Sequence, residues 1–151
     1  MSGRGSGWVV AQFLLMGAVI VGGLLPPDWP GAATTVRRGT GVALIVVGAG
    51  FGVWAGRELG RALTPFPKPK PTGLVTSGPF AVVRNPVYAG FLGVFVGYGL
   101  LSGVVALALT VALAALWVGK SRVEEGMLDD VYPEYDAYCR RVRWRLIPFV
   151  Y

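Results

Sequence analysis

Four apolar runs, separated by short polar segments, constrain the fold of this chain more than any other feature. We expect membrane helices over residues 8–25, 40–61, 86–101 and 103–119. A helix needs about 20 predominantly apolar residues to cross a bilayer, and the last two runs are somewhat short for a full span. Charged residues make up only 15% of the chain, whereas soluble domains carry roughly a quarter. The sequence therefore predicts an all-α integral membrane protein consisting of one domain.

A secretory signal peptide is the alternative interpretation of the first run. Such peptides combine a positively charged start, a short apolar core and a cleavage site between small residues. Here Arg4 is the only charge before the run, and no clear cleavage site follows it. The sequence favours a retained membrane helix.

The segments that connect the runs predict different structures. Residues 64–85 include the alternating prolines Pro65, Pro67, Pro69 and Pro71. Because proline lacks an amide hydrogen and breaks helices, we expect an extended cytosolic loop here. Only Ser102 and Gly103 separate the last two runs, which predicts a tight helical hairpin. Residues 120–151 are more polar, and we expect them to form a cytosolic helical segment.

The distribution of basic residues predicts the orientation of the helices. The formal net charge is +6, and Lys and Arg concentrate in the loop and near the C-terminus. Because cytoplasmic segments carry an excess of Lys and Arg, we expect the loop and both termini to be cytoplasmic. Arg37 and Arg38 would then lie on the opposite side, which fits this rule less well. Beside apolar runs, the basic clusters indicate anionic lipid headgroups rather than nucleic acid.

The absence of certain residue types excludes several kinds of chemistry. The chain has no histidine and one cysteine, Cys139. An intramolecular disulfide needs a second cysteine, and Ser-His pairs, Cys-His pairs and imidazole metal ligation all need histidine. Most hydrolase mechanisms are therefore excluded, and we expect no metal site.

Two polar clusters lie next to the apolar runs. Asn85 and Pro86 precede the third run, where asparagine suits the N-cap and proline the first helical position. The free N–H groups of such a helix end attract anions, although Asn85 could simply cap the helix. The second cluster follows the fourth run and consists of Lys120, Arg122, Glu124 and Glu125. These charges are costly at membrane depth and ordinary in water, so both interpretations stay open.

Several motifs follow one another in the second half of the chain. Residues 73–80 read Gly-Leu-Val-Thr-Ser-Gly-Pro-Phe, and residues 84–90 read Arg-Asn-Pro-x-Tyr-x-Gly. After the predicted hairpin, residues 124–128 read Glu-Glu-x-x-Leu, and residues 135–138 read Tyr-x-x-Tyr. The chain then continues to Arg-Val and Ile-Pro near its end. This ordered set resembles the isoprenylcysteine carboxyl methyltransferase and phospholipid methyltransferase superfamily.

The resemblance implies a membrane methyltransferase that binds S-adenosylmethionine in a pocket at the cytosolic membrane face. It implies cofactor contacts from Gly73, Leu74, Val75, Phe80, Arg84, Asn85, Pro86, Tyr88 and Glu124. The isoprenylcysteine enzymes usually have histidine where Asn85 stands and tyrosine where Phe80 stands. Many bacterial relatives carry Arg-Asn-Pro, so the resemblance points to that branch and to a bacterial inner membrane.

The methyl acceptor is expected to be a lipophilic small molecule or a lipid that reaches the site from the bilayer. A carboxylate acceptor would need only a cation to place it, such as Lys120 or Arg122. An amine acceptor would have to lose a proton, and Glu124 or Glu125 would then be the base. The sequence does not decide between these acceptors, and it does not indicate an oligomeric state.

Two other functions are alternatives to an enzyme. A non-catalytic membrane protein would use its basic tail to bind anionic lipid or a partner. A small transporter or channel subunit would use its membrane helices, but intramembrane charges of the kind that mark an ion path are almost absent from the runs. Binding of S-adenosylhomocysteine distinguishes the enzyme from both alternatives.

Overall fold

Five α-helices and two short 3₁₀ turns make up the regular structure of the described residues. The computed structural model describes residues 3–26, 29–30, 34–66 and 73–150. The helices are α1 (Gly3–Gly22), α2 (Thr34–Leu59), α3 (Pro86–Ser102), α4 (Val104–Val131) and α5 (Tyr135–Arg141), and the 3₁₀ turns are Gly60–Ala62 and Gly78–Ala81. The predicted all-α fold is therefore confirmed. Most of the proline-rich segment, residues 67–72 with Lys68 and Lys70, lies outside the described residues.

The apolar helices have the dimensions of membrane helices. α1, α2 and α4 are each long and apolar enough to cross a bilayer, and α3 is apolar but shorter. At 1.5 Å per residue, the 17 residues of α3 extend over about 26 Å, slightly less than the hydrocarbon core of roughly 30 Å. Leu14, Val47 and Val111 point outwards and are 69%, 68% and 66% exposed. Such outward apolar side chains suit lipid rather than water.

The helix boundaries differ from the sequence expectations in several places, and α1, expected over residues 8–25, extends over Gly3–Gly22. α2 begins at Thr34, before the expected start at residue 40. α4 continues through the second polar cluster to Val131 instead of ending at residue 119. Beyond Arg141, residues 142–150 form bends and turns, so the expectation of a helical C-terminal segment is wrong there. The reason is that the carbonyl groups of Trp144 and Arg145 accept hydrogen bonds from the loop before α3.

Glycines allow α2 and α3 to pack backbone against backbone. A Cβ atom on Gly90 would lie 2.6 Å from the Cα of Gly52, and one on Gly48 would lie 2.6 Å from the carbonyl oxygen of Gly90. Small residues commonly permit such close helix approaches in membranes. α3 turns back into α4 through Gly103, which confirms the predicted hairpin. α4 also packs against α1.

A cluster of buried, mainly aromatic side chains holds α5 at one end of the membrane helices. Tyr135, Tyr138 and Val142 form this cluster and pack against Leu74 and Leu128. Leu74 belongs to the loop before α3, and Leu128 belongs to the last turns of α4. The cluster therefore brings the loop, α4 and the C-terminal segment together at the same end of the protein.

Candidate functional site

A cavity of about 540 Å³ lies at this end of the helices. Its wall combines residues of α1, the end of α2, residues 73–75, the start of α3, the polar part of α4, and α5. The volume falls within the range of roughly 300–1,000 Å³ that is typical of small-molecule sites. The cavity can therefore hold one small molecule among almost all elements of the fold.

Lys120 and Glu124 supply the charges that α4 presents to the cavity. The Lys120 residue is fully buried, and its Nζ lies 3.6 Å from Oε1 of Glu124. Nζ also donates to Oε1 of Gln12 at 2.8 Å and to the carbonyl oxygen of Pro65 at 2.7 Å. A buried ammonium group needs such partners to offset its desolvation. Lys120 thereby connects α4 to α1 and to the start of the loop.

Tyr88 fixes the position of the Glu124 carboxylate. Its hydroxyl group donates to Oε1 of Glu124 at 2.8 Å and lies 3.0 Å from Oε2. The Tyr88 ring stacks on Trp117 with 5.6 Å between the ring centroids, and Lys120 Nζ lies 5.3 Å from the Tyr88 ring centroid. One wall of the cavity is therefore aromatic, and both a carboxylate and an ammonium group lie beside it.

Asn85 precedes α3 as predicted, but its side chain does not cap the helix. No hydrogen bond joins that side chain to the first turn of α3. Its Nδ2 donates instead to Oε1 of Glu125 at 2.9 Å. Oε2 of Glu125 lies 3.0 Å from Nε of Arg145 and 3.4 Å from Nη2 of Arg84. Asn85, Arg145 and Arg84 all contact the buried Glu125 carboxylate, and the Asn85 side chain lies there instead of at the helix end.

Hydrogen bonds attach the C-terminal segment to the loop that lines the cavity. The backbone N–H groups of Arg84 and Asn85 donate to the carbonyl oxygens of Trp144 and Arg145, each at 2.8 Å. The Tyr138 hydroxyl group donates to the carbonyl oxygen of Phe80 at 2.7 Å. Burial raises the pKa of Tyr138 above its usual range, so this phenol stays protonated and remains a donor. These bonds fix the shape of the loop in the cavity wall.

The structure brings together most of the residues that the sequence predicted for the site. The cavity-lining residues include Gly73, Leu74, Val75, Phe80, Arg84, Asn85, Pro86, Tyr88, Lys120 and Glu124. Arg122 and Glu125 are not among them. Each helical residue is rotated by about 100° from the preceding one, so Glu124 shares a face with Lys120 while Arg122 points to the opposite side. Arg122 is exposed, and Glu125 faces the loop and the tail.

The first two helices contribute cavity-lining residues that the sequence motifs do not predict. Gln12, Phe13 and Met16 of α1 line the cavity, as do Leu59 of α2 and residues 62–66 after it. Gln12 could have been predicted from the sequence, because it is the one amide side chain among the apolar and glycine residues of the run from residue 8 to residue 25. Polar side chains inside membrane helices are rare and usually functional.

Two residues of the cavity wall carry buried hydrogen-bond donors that the described residues leave unpaired. Nε of Arg84 and Nε1 of Trp117 have no hydrogen-bond partner within the described part of the chain. Leaving a buried donor unpaired costs about 1–3 kcal/mol, and only a ligand that hydrogen-bonds to these groups would recover it. Together with the carboxylate, the ammonium group and the aromatic wall, these donors suit a small molecule that carries both charges and a flat ring. The residues present therefore fit S-adenosylmethionine.

Comparisons with known proteins identify related sequences. The sequence model of a family described as phospholipid methyltransferase matches residues 36–135. The nickel-cobalt-cadmium resistance protein NccN of Alcaligenes xylosoxydans xylosoxydans is 32% identical over 139 residues, which are 89% of this chain and 60% of NccN. The cobalt-zinc-cadmium resistance protein CzcN of Cupriavidus metallidurans is 34% identical over 70 residues, which are 45% of this chain and 32% of CzcN. The matches thus span less than two thirds of either relative.

Proposed function

Because this chain belongs to the phospholipid methyltransferase family, within the isoprenylcysteine carboxyl methyltransferase-like superfamily, we propose that it transfers methyl groups from S-adenosylmethionine to a lipophilic or amphipathic acceptor. The observation that carries the proposal is the cavity, where Lys120, Glu124 and the aromatic pair of Tyr88 and Trp117 meet beside the loop at residues 73–75. These groups come from segments that are distant in the sequence, and the fold brings them to one cavity.

The cavity residues would divide the binding of S-adenosylmethionine among them. Gly73 has φ of +87°, a conformation that favours glycine, and residues 73–75 would contact the cofactor mainly through their backbone. Glu124 would accept hydrogen bonds from the ammonium group of the cofactor, and Arg84 would face its carboxylate. When bound, the cofactor supplies a methyl group on a positively charged sulfur, so the protein contributes mainly orientation and exclusion of water.

The positions of the charged side chains favour one candidate residue for each role that the sequence left open. For a carboxylate acceptor, Lys120 is the better candidate cation, because it lines the cavity and Arg122 lies on the exposed face of α4. For an amine acceptor, Glu124 is the better candidate base, because it lines the cavity, whereas Glu125 does not and is occupied by three donors. Both acceptor classes stay within the proposal.

The acceptor would enter from the bilayer between α1 and the end of α2. Phe13, Leu63 and Phe66 line the cavity there and are 54%, 49% and 46% exposed. Apolar side chains that are both exposed and part of the cavity wall suit the acyl chain of a lipid-like molecule. Purified protein should therefore methylate membrane-extractable acceptors, and activity confined to freely water-soluble acceptors would contradict this route.

We also propose that the cavity lies at the cytoplasmic face of a bacterial-type inner membrane. The support is the basic character of the loop and of the C-terminal segment, both of which belong to the cavity end of the helices. A fluorescent protein that matures only in the cytoplasm, fused to the C-terminus, should fluoresce in cells. A dark fusion that is nevertheless inserted in the membrane would reverse the orientation.

Calorimetry with S-adenosylhomocysteine on detergent-solubilised protein tests the proposed activity. Saturable binding is expected, and Glu124→Ala or Asn85→Ala should weaken it about 10- to 100-fold, since hydrogen bonds to charged groups contribute about 1.5–3 kcal/mol. Asp130→Ala removes an exposed carboxylate from the same helix and should leave the affinity unchanged. Absence of binding by a folded wild-type protein would favour a non-catalytic membrane protein with a lipid- or partner-binding basic tail.

The names of the two relatives refer to resistance to metals, but no observation on this chain favours metal binding as a second function. The described residues contain no group of three or more histidine, cysteine, aspartate or glutamate side chains that could hold a metal ion. The proposal for this chain is therefore restricted to methyl transfer.

A further inference from the structure

The C-terminal segment carries an exposed surface that the proposed reaction does not use. Val82, Arg141, Arg143, Trp144 and Phe149 line a shallow groove on this surface, which we call the tail surface. Phe149 is 84% exposed and Val82 is 46% exposed. The tail surface therefore presents aromatic and aliphatic side chains outwards, side by side with two arginines.

The two arginines of the tail surface differ from their neighbours in sequence. Arg140 forms an ion pair with Asp136, and Arg145 forms one with Glu125. Arg141 and Arg143 are exposed and form no ion pair with the described residues. Arg141 lies over the ring of Tyr138, which leaves its charge available. The tail surface thus carries two positive charges that no carboxylate of the described residues neutralises.

An apolar surface with uncompensated cations is typical of segments that lie at a charged bilayer surface. Aromatic and aliphatic side chains enter the headgroup region while Lys and Arg contact anionic headgroups. The tail surface lies at the cavity end of helices that already cross the membrane, so lipid headgroups are present there at high local concentration. A soluble acidic protein would pair with the arginines but would not cover the outward Phe149 and Val150 with apolar groups. These two side chains are 84% and 73% exposed.

We propose that the tail surface binds anionic phospholipid headgroups of the leaflet at the cavity end. The contact would hold residues 142–150 at the bilayer surface. Because the carbonyl oxygens of Trp144 and Arg145 accept hydrogen bonds from Arg84 and Asn85, the same contact would support the loop that lines the cavity. The proposal does not rest on methyl transfer, since it concerns the surface outside the cavity.

A fluorescent probe on the tail tests the proposal in lipid nanodiscs. The chain has one cysteine, so Cys139→Ser combined with Val150→Cys allows a polarity-sensitive dye to be attached beside Phe149. Phosphatidylglycerol, titrated into phosphatidylcholine discs, should shift the emission to the blue in a saturable and salt-sensitive manner. Arg143→Gln should weaken the apparent affinity for phosphatidylglycerol about fivefold, the effect expected for one basic residue near an anionic surface.

Matched controls distinguish binding of anionic lipid from binding of a protein partner or of a soluble anion. Arg38→Gln removes one exposed charge from the opposite end of the helices and should leave the titration unchanged. Identical emission in both kinds of disc, or equal effects of Arg143→Gln and Arg38→Gln, would overturn the proposal and favour a protein partner instead. A response to inorganic phosphate in phosphatidylcholine discs would also overturn it, because the anion would then come from solution. None of these outcomes depends on whether S-adenosylhomocysteine binds.

Discussion

The close approach of α2 and α3 makes Gly48→Ala the most informative single substitution in the membrane part of the protein. A Cβ atom at this position would lie 2.6 Å from the carbonyl oxygen of Gly90 and 2.9 Å from the backbone nitrogen of Val94. Ordinary Cβ contacts begin at 3.4 Å. Both obstacles are backbone atoms of α3, so no side chain can rotate away. The helices must instead separate by roughly 0.8 Å, the difference between 3.4 and 2.6 Å.

The expected cost follows from this forced separation. Overpacking of a well-packed interior costs typically about 1–3 kcal/mol, against which alanine recovers up to about 1 kcal/mol of helix propensity over glycine. Gly50→Ala, two residues away on the same helix, has no atom within 4 Å of its new Cβ. This variant therefore gains helix propensity without overpacking. We therefore expect Gly48→Ala to be about 1–3 kcal/mol less stable than Gly50→Ala.

Thermal unfolding in detergent, followed by the helical circular dichroism signal, measures the difference. For a chain of this length, 1 kcal/mol corresponds to about 2–4 °C in Tm, so Gly48→Ala should melt several degrees below Gly50→Ala. Equal melting temperatures, or a higher value for Gly48→Ala, would show that α2 and α3 do not approach as closely as described. The loop and the start of α3 depend on this packing, so the result bears on the cavity as well.

Two further substitutions probe the polar contacts around the cavity. Tyr88→Phe keeps the ring on Trp117 but removes the hydroxyl group that orients Glu124, so affinity for S-adenosylhomocysteine should fall about tenfold, in line with a hydrogen bond to a charged group. Calorimetry measures this, and an unchanged affinity would show that the hydrogen bond between Tyr88 and Glu124 does not contribute to binding. Glu125→Gln leaves the cavity wall intact but removes the charge that faces Arg145 and Arg84, and the free energy of unfolding should fall by about 1–3 kcal/mol. Denaturant titration measures it, with Asp129→Asn as the exposed control, and equal stability of the two variants would show that the Glu125 contacts are not formed.

The amino-acid sequence alone determines the membrane architecture of this protein. Apolar runs with few charges can be stable as helices in a bilayer without tertiary partners, because lipid covers their side chains and each helix satisfies its own backbone groups. For this reason the hairpin at Gly103 and the start of α3 at Pro86 were predictable. The extension of α4 to Val131 was not, because its polar turns are stabilised by Gln12, Tyr88 and other distant residues.

Only the tertiary structure decides what the neighbouring charged residues of α4 do. Glu124 and Glu125 are adjacent and chemically alike, but a rotation of about 100° per residue directs one towards Tyr88 and the cavity and the other towards Asn85 and Arg145. The sequence contains both carboxylates but does not indicate which of them faces the cavity. The cavity forms only when α1, α3 and the tail have packed around α4. The pairing of Lys120 with Gln12, 108 residues apart, arises in the same way.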